Sequence, residues 1–375
     1  MTDGTAGATR RRLAQELAVV AGFEDPHAPL EQYHTPPDLA AHIVHVADLN
    51  GDVEGRTVLD LGCGTGMLAL GAALRGPDRV AGIDIDPAPL STARENERRV
   101  GAMTDVSWVR GDVTDPTDVV RAVKQTGATH IVHLAALLTN SARDNPRAAL
   151  DVNIQGTNAV FEAARTLDDQ VERVTWASSA AVYAPPHNYD AEYVNEDELV
   201  YPDTLYGATK EYNEHQARVY HEDYDVDHVA LRPTVAYGPY RETGGSAFLA
   251  NIIEKPALGE PFSVKYGNQV IDWQHARDIA QAFRKATFVD ESALSQRVYN
   301  VRGVLATIRE AADTVRQIIP DAELEVSDEG ELPWTQNLDM TAAQEDFGYE
   351  VEYGLEAGFR SYINTLREED GLDSV

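Results

Sequence analysis

The chain has one cysteine, Cys63, in 375 residues, which leaves no disulfide framework and no cysteine metal site to organise the fold. His130 and His133 flank a predicted strand without a carboxylate or third ligand at useful spacing, so no zinc centre is expected. Lysine is scarce, and lysine and arginine together number 31 against 62 acids, for a net charge of −31. Acidic charge spread over the whole chain reads as a solvated surface built for high salt, and it disfavours nucleic acid as a partner. The one basic cluster, Arg10-Arg11-Arg12, is either a solvated helix end or a local nucleic-acid contact. No apolar run approaches a membrane span and no charged-then-apolar leader opens the chain, so a cytoplasmic protein without membrane contact is expected.

Aliphatic runs alternate with amphipathic stretches, the pattern of an α/β protein with a doubly wound parallel sheet. The length allows a sizeable core and two subdomains. Residues 1–50 read as an N-terminal helical extension packing outside the sheet. Residues 51–240 read as a nucleotide-binding domain, and 241–375 mainly as a smaller C-terminal α/β substrate lobe with segments returning to that domain.

The most informative pattern is Tyr206-Gly-Ala-Thr-Lys210, with Ser179 upstream in Ser-Ser-Ala-Ala-Val-Tyr. Residues four apart share a helix face, so Lys210 can stand beside the Tyr206 phenol and favour its ionised form. A tyrosine tuned in this way can exchange a proton with a substrate hydroxyl held by Ser179, which is the chemistry of alcohol–ketone interconversion. Alone, the spacing also fits an amphipathic surface pair. Val174–Ala177, however, forms a buried-strand run that delivers Ser178 and Ser179 to a strand end, where α/β sites lie. Asp151–Thr157 precedes it as helix and Leu231–Pro239 follows as strand and turn.

Those elements, in that order, resemble the extended short-chain dehydrogenase/reductases, the NAD-dependent epimerase/dehydratase family, from about residue 109 to 364. The resemblance implies that Tyr206 is the acid/base, that Lys210 also holds the nicotinamide ribose, and that Ser179 orients the reacting oxygen. It places Leu134, Ala135 and Ala136 along the cofactor groove, with Asn153 bracing the central helices. Arg232-Pro233-Thr234 would turn its backbone, at Pro233, toward the nicotinamide carboxamide. It further implies a nucleotide sugar as substrate and a homodimer paired through helices around 147–167 and 206–220. The lobe would open at Gly244–Phe248 and lock through Ile271–Trp273 and Arg277–Ala280, with Lys265, Tyr266, Gln269 and Trp273 as contact candidates. Ala180 and Ala181 follow Ser179 where a dehydratase adds an acid and a base, so an epimerase or simple dehydrogenase is expected.

Residues 10–100 carry a different signature. A strand at Thr57–Leu61 leads into Gly62-Cys-Gly64-Thr-Gly66-Met, and a second strand ends in Asp84-Ile-Asp86-Pro. With Leu30-Glu-Gln-Tyr33-His-Thr35-Pro-Pro37 upstream, this resembles small archaeal S-adenosylmethionine-dependent methyltransferases related to RNA adenine-N6 enzymes. The fourth strand lacks the Asn-Pro-Pro-aromatic motif such enzymes need, and Asn145-Pro146 reads as a helix start. Gly64-Thr-Gly66-Met-Leu-Ala69 also fits the dinucleotide fingerprint. Hence Gly62, Gly64, Gly66 and Asp84 are expected to hold NAD, with S-adenosylmethionine as the alternative. Asp112 and Val113, ending the third strand, would meet the adenine. Asp60 would repel a diphosphate, and the acids at 84 and 86 favour NAD over NADP. The chain reads as a hybrid, and a non-catalytic hybrid with an impaired cofactor site is a further alternative.

Overall fold

The computed structural model describes residues 3–26, 32, 34–49, 51–102, 104–239 and 245–375. They form two compact units, Met1–Thr129 with Glu162–Glu172, and His130–Phe161 with Arg173–Val375.

In the first unit, strands β1 (Thr57–Leu61), β2 (Arg79–Asp84) and β3 (Val106–Arg110) make a parallel sheet in the order β1-β2-β3. Local chemistry sets the helices between and after them. Asp86 and Asp115 accept hydrogen bonds from the second helical N–H, a proline opens each helix, and Gly101 and Gly127 close them in the left-handed conformation. The helix Met67–Ala73 is the connection that carries the glycine loop.

The helices Asp3–Leu17 and Pro37–Leu49, expected to pack outside the sheet, lie against the helix Met67–Ala73 that follows β1. Their apolar residues Leu13, Leu17, Ala40 and Val44 share one core with Met67, Leu70 and Val80. An apolar stripe must be covered, and here the sheet's own helix covers it. Asn96, fully buried, fastens the segment after the first helix: its Oδ1 accepts from Ala21 N–H at 2.9 Å, and its amide donates to the Ala21 and Thr65 carbonyls at 3.0 Å.

In the second unit, β4 (His130–His133), β5 (Arg173–Ala177), β6 (His228–Pro233) and β10 (Val298–Val301) form a parallel sheet in the order β10-β6-β5-β4. The lobe adds β7 (Val235–Tyr237), β8 (Phe262–Val264), β9 (Val270–His275), β11 (Val304–Thr307) and β12 (Leu324–Val326), as a sheet β11-β9-β7 and a pair β12-β8. Trp273, Tyr237, Phe359 and Ile308 fill the lobe core, and Val229, Leu231, Tyr299 and Phe283 fill the core against the four-stranded sheet. The expected lobe opening at Gly244 and the residues Leu30, Glu31 and Tyr33 lie outside the described residues. Among the described residues, no helix is long and apolar enough to cross a membrane.

Because Asn96 satisfies three backbone groups, Asn96→Ala leaves buried polar atoms unpaired, at a cost of roughly 1–3 kcal/mol. Thermal unfolding in molar KCl should show that loss, together with faster proteolysis near residue 21. An unchanged melt would mean that the N-terminal helices are not part of the core.

Candidate active site

Buried Val174 and Trp176 fix β5 in its sheet, and the strand ends by presenting two serines. Ser179 is half-buried and caps a short 3-10 turn, its Oγ accepting from Ala181 N–H at 3.1 Å. The helix Leu205–Tyr224 starts under the cap of Thr204, whose Oγ1 accepts from Gly207 N–H at 3.0 Å. Its first turn presses on the Ser179 turn so closely that a Cβ at Gly207 would stand 2.2 Å from the Ala181 carbonyl oxygen. Glycine at 207 is thus what lets Tyr206 come up beside the serine turn.

Lys210 is 3% exposed, and its Nζ donates to the Ala177 carbonyl at 2.6 Å, at the end of β5. The same nitrogen lies 5.7 Å from the centre of the Tyr206 ring. Burial pushes the Lys210 pKa down to about 8, with Glu214 opposing the shift. The ammonium therefore persists at neutral pH, next to the phenol it was expected to serve.

Asn153 lies in a π-helical turn, Leu150–Gly156, that continues into the helix Thr157–Thr166. Its Oδ1 accepts from Leu137 N–H at 2.7 Å, and its amide donates to the Leu137 carbonyl and to Thr209 Oγ1. The wide turn leaves its backbone carbonyl open to Thr157 Oγ1 and Asn213 Nδ2, each at 2.7 Å. One asparagine thus ties the turn after β4 to the helix of Tyr206. Below it, buried His133 contacts Thr157 Oγ1 at 3.0 Å, and burial, helped by Lys210, pushes its pKa down to about 3. Leu134 and Ala135 are exposed and Ala136 half-buried on the turn that follows.

A second layer was not foreseen. Glu214 continues the helix face of Tyr206 and Lys210 and accepts from Ser178 Oγ at 2.5 Å. Arg232 grips the same carboxylate with two bonds, 2.8 and 2.7 Å, and also donates to Tyr183 Oη at 2.6 Å. Tyr183 passes the network on to Asn300 Oδ1 at 2.9 Å. Although burial opposes its charge, Glu214 and Tyr183 hold the Arg232 pKa above its ordinary value. The four-residue repeat 206, 210, 214 was the available signal. Pro233 ends β6, opposite Val301 of β10. Of the lobe candidates, Trp273 is buried in the core, Lys265 pairs with Glu329, and Tyr266 and Gln269 line a cleft.

In the first unit, Gly62, Gly64 and Gly66 all have positive φ. The loop closes on itself: Gly62 and Cys63 N–H donate to Ile83, Gly66 N–H to Cys63, and Gly64 N–H to Asp84 Oδ2 at 2.8 Å. The other Asp84 oxygen accepts from Asp86 N–H, and Asp86 accepts from Gln32 Nε2 at 2.9 Å. Asp112 Oδ1 accepts from Thr114 N–H and Oγ1, and Val113 is half-buried beside it. The Phe23 ring lies where a Cβ on Gly64 would be 2.7 Å from it. Asp60 Oδ2 accepts from Ala69 N–H at 3.0 Å. Desolvation, opposed by that bond and reinforced by Asp84, pushes its pKa up to about 6.

A family match settles the lineage, since residues 72–301 match the NAD dependent epimerase/dehydratase family. The chain belongs to that family. The match begins after the glycine loop. A UDP-glucuronate 4-epimerase of Arabidopsis thaliana is 25% identical over 338 residues, covering 82% of this chain and 75% of that protein. The N-terminal segment is similar to the rRNA N(6)-adenosine-methyltransferase Mettl5 of Drosophila melanogaster, 40% identical over 104 residues, 28% of this chain and 48% of Mettl5. An uncharacterized Methanocaldococcus jannaschii protein is 32% identical over 184 residues, 48% of this chain and 54% of that protein. The chain thus spans about half the length of these last two relatives. Among solved structures, the UDP-glucose 4-epimerase of Thermus thermophilus complexed with NAD superposes with a TM-score of 0.62 at 25% identity, over 83% of this chain and 98% of that one. The GalE-like L-threonine dehydrogenase of Cupriavidus necator superposes with a TM-score of 0.66 at 23% identity, over 83% and 99%.

The second unit offers the nicotinamide end of NAD the buried Lys210 ammonium, 5.7 Å from the centre of the Tyr206 ring, on a helix whose first turn packs against the turn that Ser179 caps. The loop of the first unit suits an adenosine ribose more than a pyrophosphate. Its amides at Gly62, Cys63, Gly64, Gly66 and Ala69 already have partners, and Asp60 and Asp84 add negative charge.

Asp60→Asn should therefore tighten NAD binding, measured by calorimetry at pH 7.5, and weaker binding would contradict this reading. The sign of the pH effect follows from the raised pKa. The folded state takes up the Asp60 proton at about pH 6, before the unfolded chain does near 4. The cost of its burial is present above pH 6 and is relieved as pH falls through 6. Buried Asp272, also pushed up to about 6, acts in the same direction.

Proposed function

We propose that the protein transfers a hydride between a substrate carbinol carbon and bound NAD. The observation that carries this is the array of Lys210, held by β5 and buried beside Tyr206, with the Ser179 turn packed against the first turn of the same helix. NAD, when bound, supplies the hydride acceptor. Ser179 orients the substrate hydroxyl, and Tyr206, ionised beside Lys210, takes its proton as the carbon gives up its hydrogen with both electrons, leaving a carbonyl. Lys210 also holds the nicotinamide ribose. Returning the hydride to the opposite face would make the net reaction an epimerisation, and releasing the carbonyl would make it a dehydrogenation. Ala180 and Ala181 place no acid or base after Ser179, which disfavours dehydration. Relatives named for UDP-sugars make a nucleotide sugar the first substrate class to weigh, and those named for L-threonine make a small amino alcohol the second.

A second reading has a specific observation behind it. The first unit's closed glycine loop, with acids at Asp84 and Asp86, suits S-adenosylmethionine, which carries no diphosphate. Asn145-Pro146 offers that reading no methylating motif, since Asn145 caps the helix Pro146–Ala149.

Leu150, Tyr212 and Val219 are exposed on the helices that the resemblance pairs in dimers. We accordingly place the chain in a homodimer, and light scattering in molar KCl should give twice the 41.0 kDa chain mass. A monomer would contradict it.

Tyr206→Phe removes the proton acceptor while leaving the fold and Lys210 in place. Turnover should fall by about 100-fold or more, with NAD affinity nearly unchanged. Retained activity would overturn the assignment.

A further inference from the structure

Thr234 alone separates β6 from β7, and the chain changes sheets there. β6 lies beside β5 with Leu231 opposite Ala177, so Arg232-Pro233-Thr234 follows at the sheet edge that carries Lys210 and the two serines. Ligands of α/β sheets bind outside such carboxyl ends. β7 pairs instead with β9, which puts Ala236 opposite Gln274.

Gln274 is fully buried, and its side chain reaches across that change of sheet. Its Oε1 accepts from Thr234 N–H at 2.9 Å and from Thr234 Oγ1 at 3.3 Å. Its Nε2 donates to Tyr349 Oη at 3.0 Å, and Tyr349 Oη donates to the Arg302 carbonyl at 2.7 Å, in the turn between β10 and β11. A backbone N–H must meet an oxygen, which fixes the end of the amide that faces Thr234. The turn at Arg302 is itself seated on β9. A Cβ on Gly303 would stand 2.1 Å from the Trp273 carbonyl oxygen, and Gly303 N–H donates to Asp272 Oδ1 at 2.7 Å.

The tripeptide is therefore held at both ends. Arg232 bonds to Glu214 and to Tyr183, which reaches Asn300 of β10, while Thr234 is tied through Gln274 and Tyr349 to Arg302. Thr234 also accepts from Ala236 N–H at 3.1 Å with its carbonyl, so its N–H, hydroxyl and carbonyl are all engaged within the chain. It is an anchor. Pro233 between them has no N–H, and its backbone can offer a ligand only its carbonyl oxygen, the acceptor that a carboxamide NH2 needs.

We propose that Gln274 is a positioning residue for the nicotinamide end of NAD: by fixing Thr234 it aims the Pro233 carbonyl at the carboxamide. The inference rests on the hydride-transfer reading above, and its test separates the two.

The test titrates the full chain in molar KCl with NADH and with ADP-ribose, which lacks the nicotinamide, by calorimetry and by NADH emission. The unaltered chain should bind both and raise NADH emission. Gln274→Met keeps the side-chain length but leaves the Thr234 N–H without its acceptor, and it should lower NADH affinity about tenfold. ADP-ribose affinity should stay as it was. Tyr349→Phe removes only the far partner of Gln274 and should lower NADH affinity about threefold, again sparing ADP-ribose. If the methionine variant does not fold, as read by its thermal melt, the phenylalanine variant decides in the same way. NADH affinity unchanged in folded variants, or equal losses for both ligands, would overturn the inference while leaving the hydride-transfer reading in place. NADH bound by the unaltered chain without any change in emission would defeat that reading, and the inference with it.

Discussion

The active half of the molecule depends on one carboxylate, Glu214, lying near two buried cations. Arg232 and Lys210 are each 3% exposed, and a charge in such a place must be matched or it neutralises or unfolds the chain. Glu214 meets Arg232 with two bonds and raises the Lys210 pKa against the effect of burial. It also holds Ser178, the neighbour of the serine in the site. The carboxylate therefore bonds to the serine just after β5 and to Arg232 of β6 from the helix of Tyr206, and it helps the lysine charge survive as pH rises. Asn153 does the comparable work on the other side, using both ends of its amide to fix the turn after β4 to Thr209.

The first unit obeys different rules. Its glycine loop is braced by its own acids, and its N-terminal helices share its core instead of decorating it. The family match starts at residue 72, past that loop, and the similarity to Mettl5 lies in the N-terminal segment. Two lineages thus contribute to the chain. The amides of Gly62, Cys63, Gly64 and Gly66 already have partners in β2 or in the loop itself.

Much of the active half could be read in the sequence because it is local. Tyr206 and Lys210 are one helical turn apart, and Ser179 ends an unbroken apolar strand, so period and position alone put them on one edge. Asn145 capping the helix at Pro146 was legible for the same reason. The Glu214–Arg232 pair spans different elements, and nothing in either residue's neighbourhood names its partner. The π-helical turn at Asn153 follows from tertiary packing, since no propensity calls for it. Leu13, Leu17 and Val44 showed their apolar stripe plainly, but the surface that covers it became visible only once the sheet was in place. Trp273 looked like a contact residue by its chemistry and is instead core, because an indole satisfied by the Ala306 carbonyl can be buried without cost to its N–H.

The central claim is that this chain uses NAD, as its family does, and not S-adenosylmethionine. Isothermal titration of the purified chain in molar KCl, with NAD and separately with S-adenosylmethionine, tests it most directly. The account predicts saturable NAD binding with no heat from S-adenosylmethionine. Binding of S-adenosylmethionine alone would contradict it, and would make Tyr206 and Lys210 relics of an activity the N-terminal unit no longer supports.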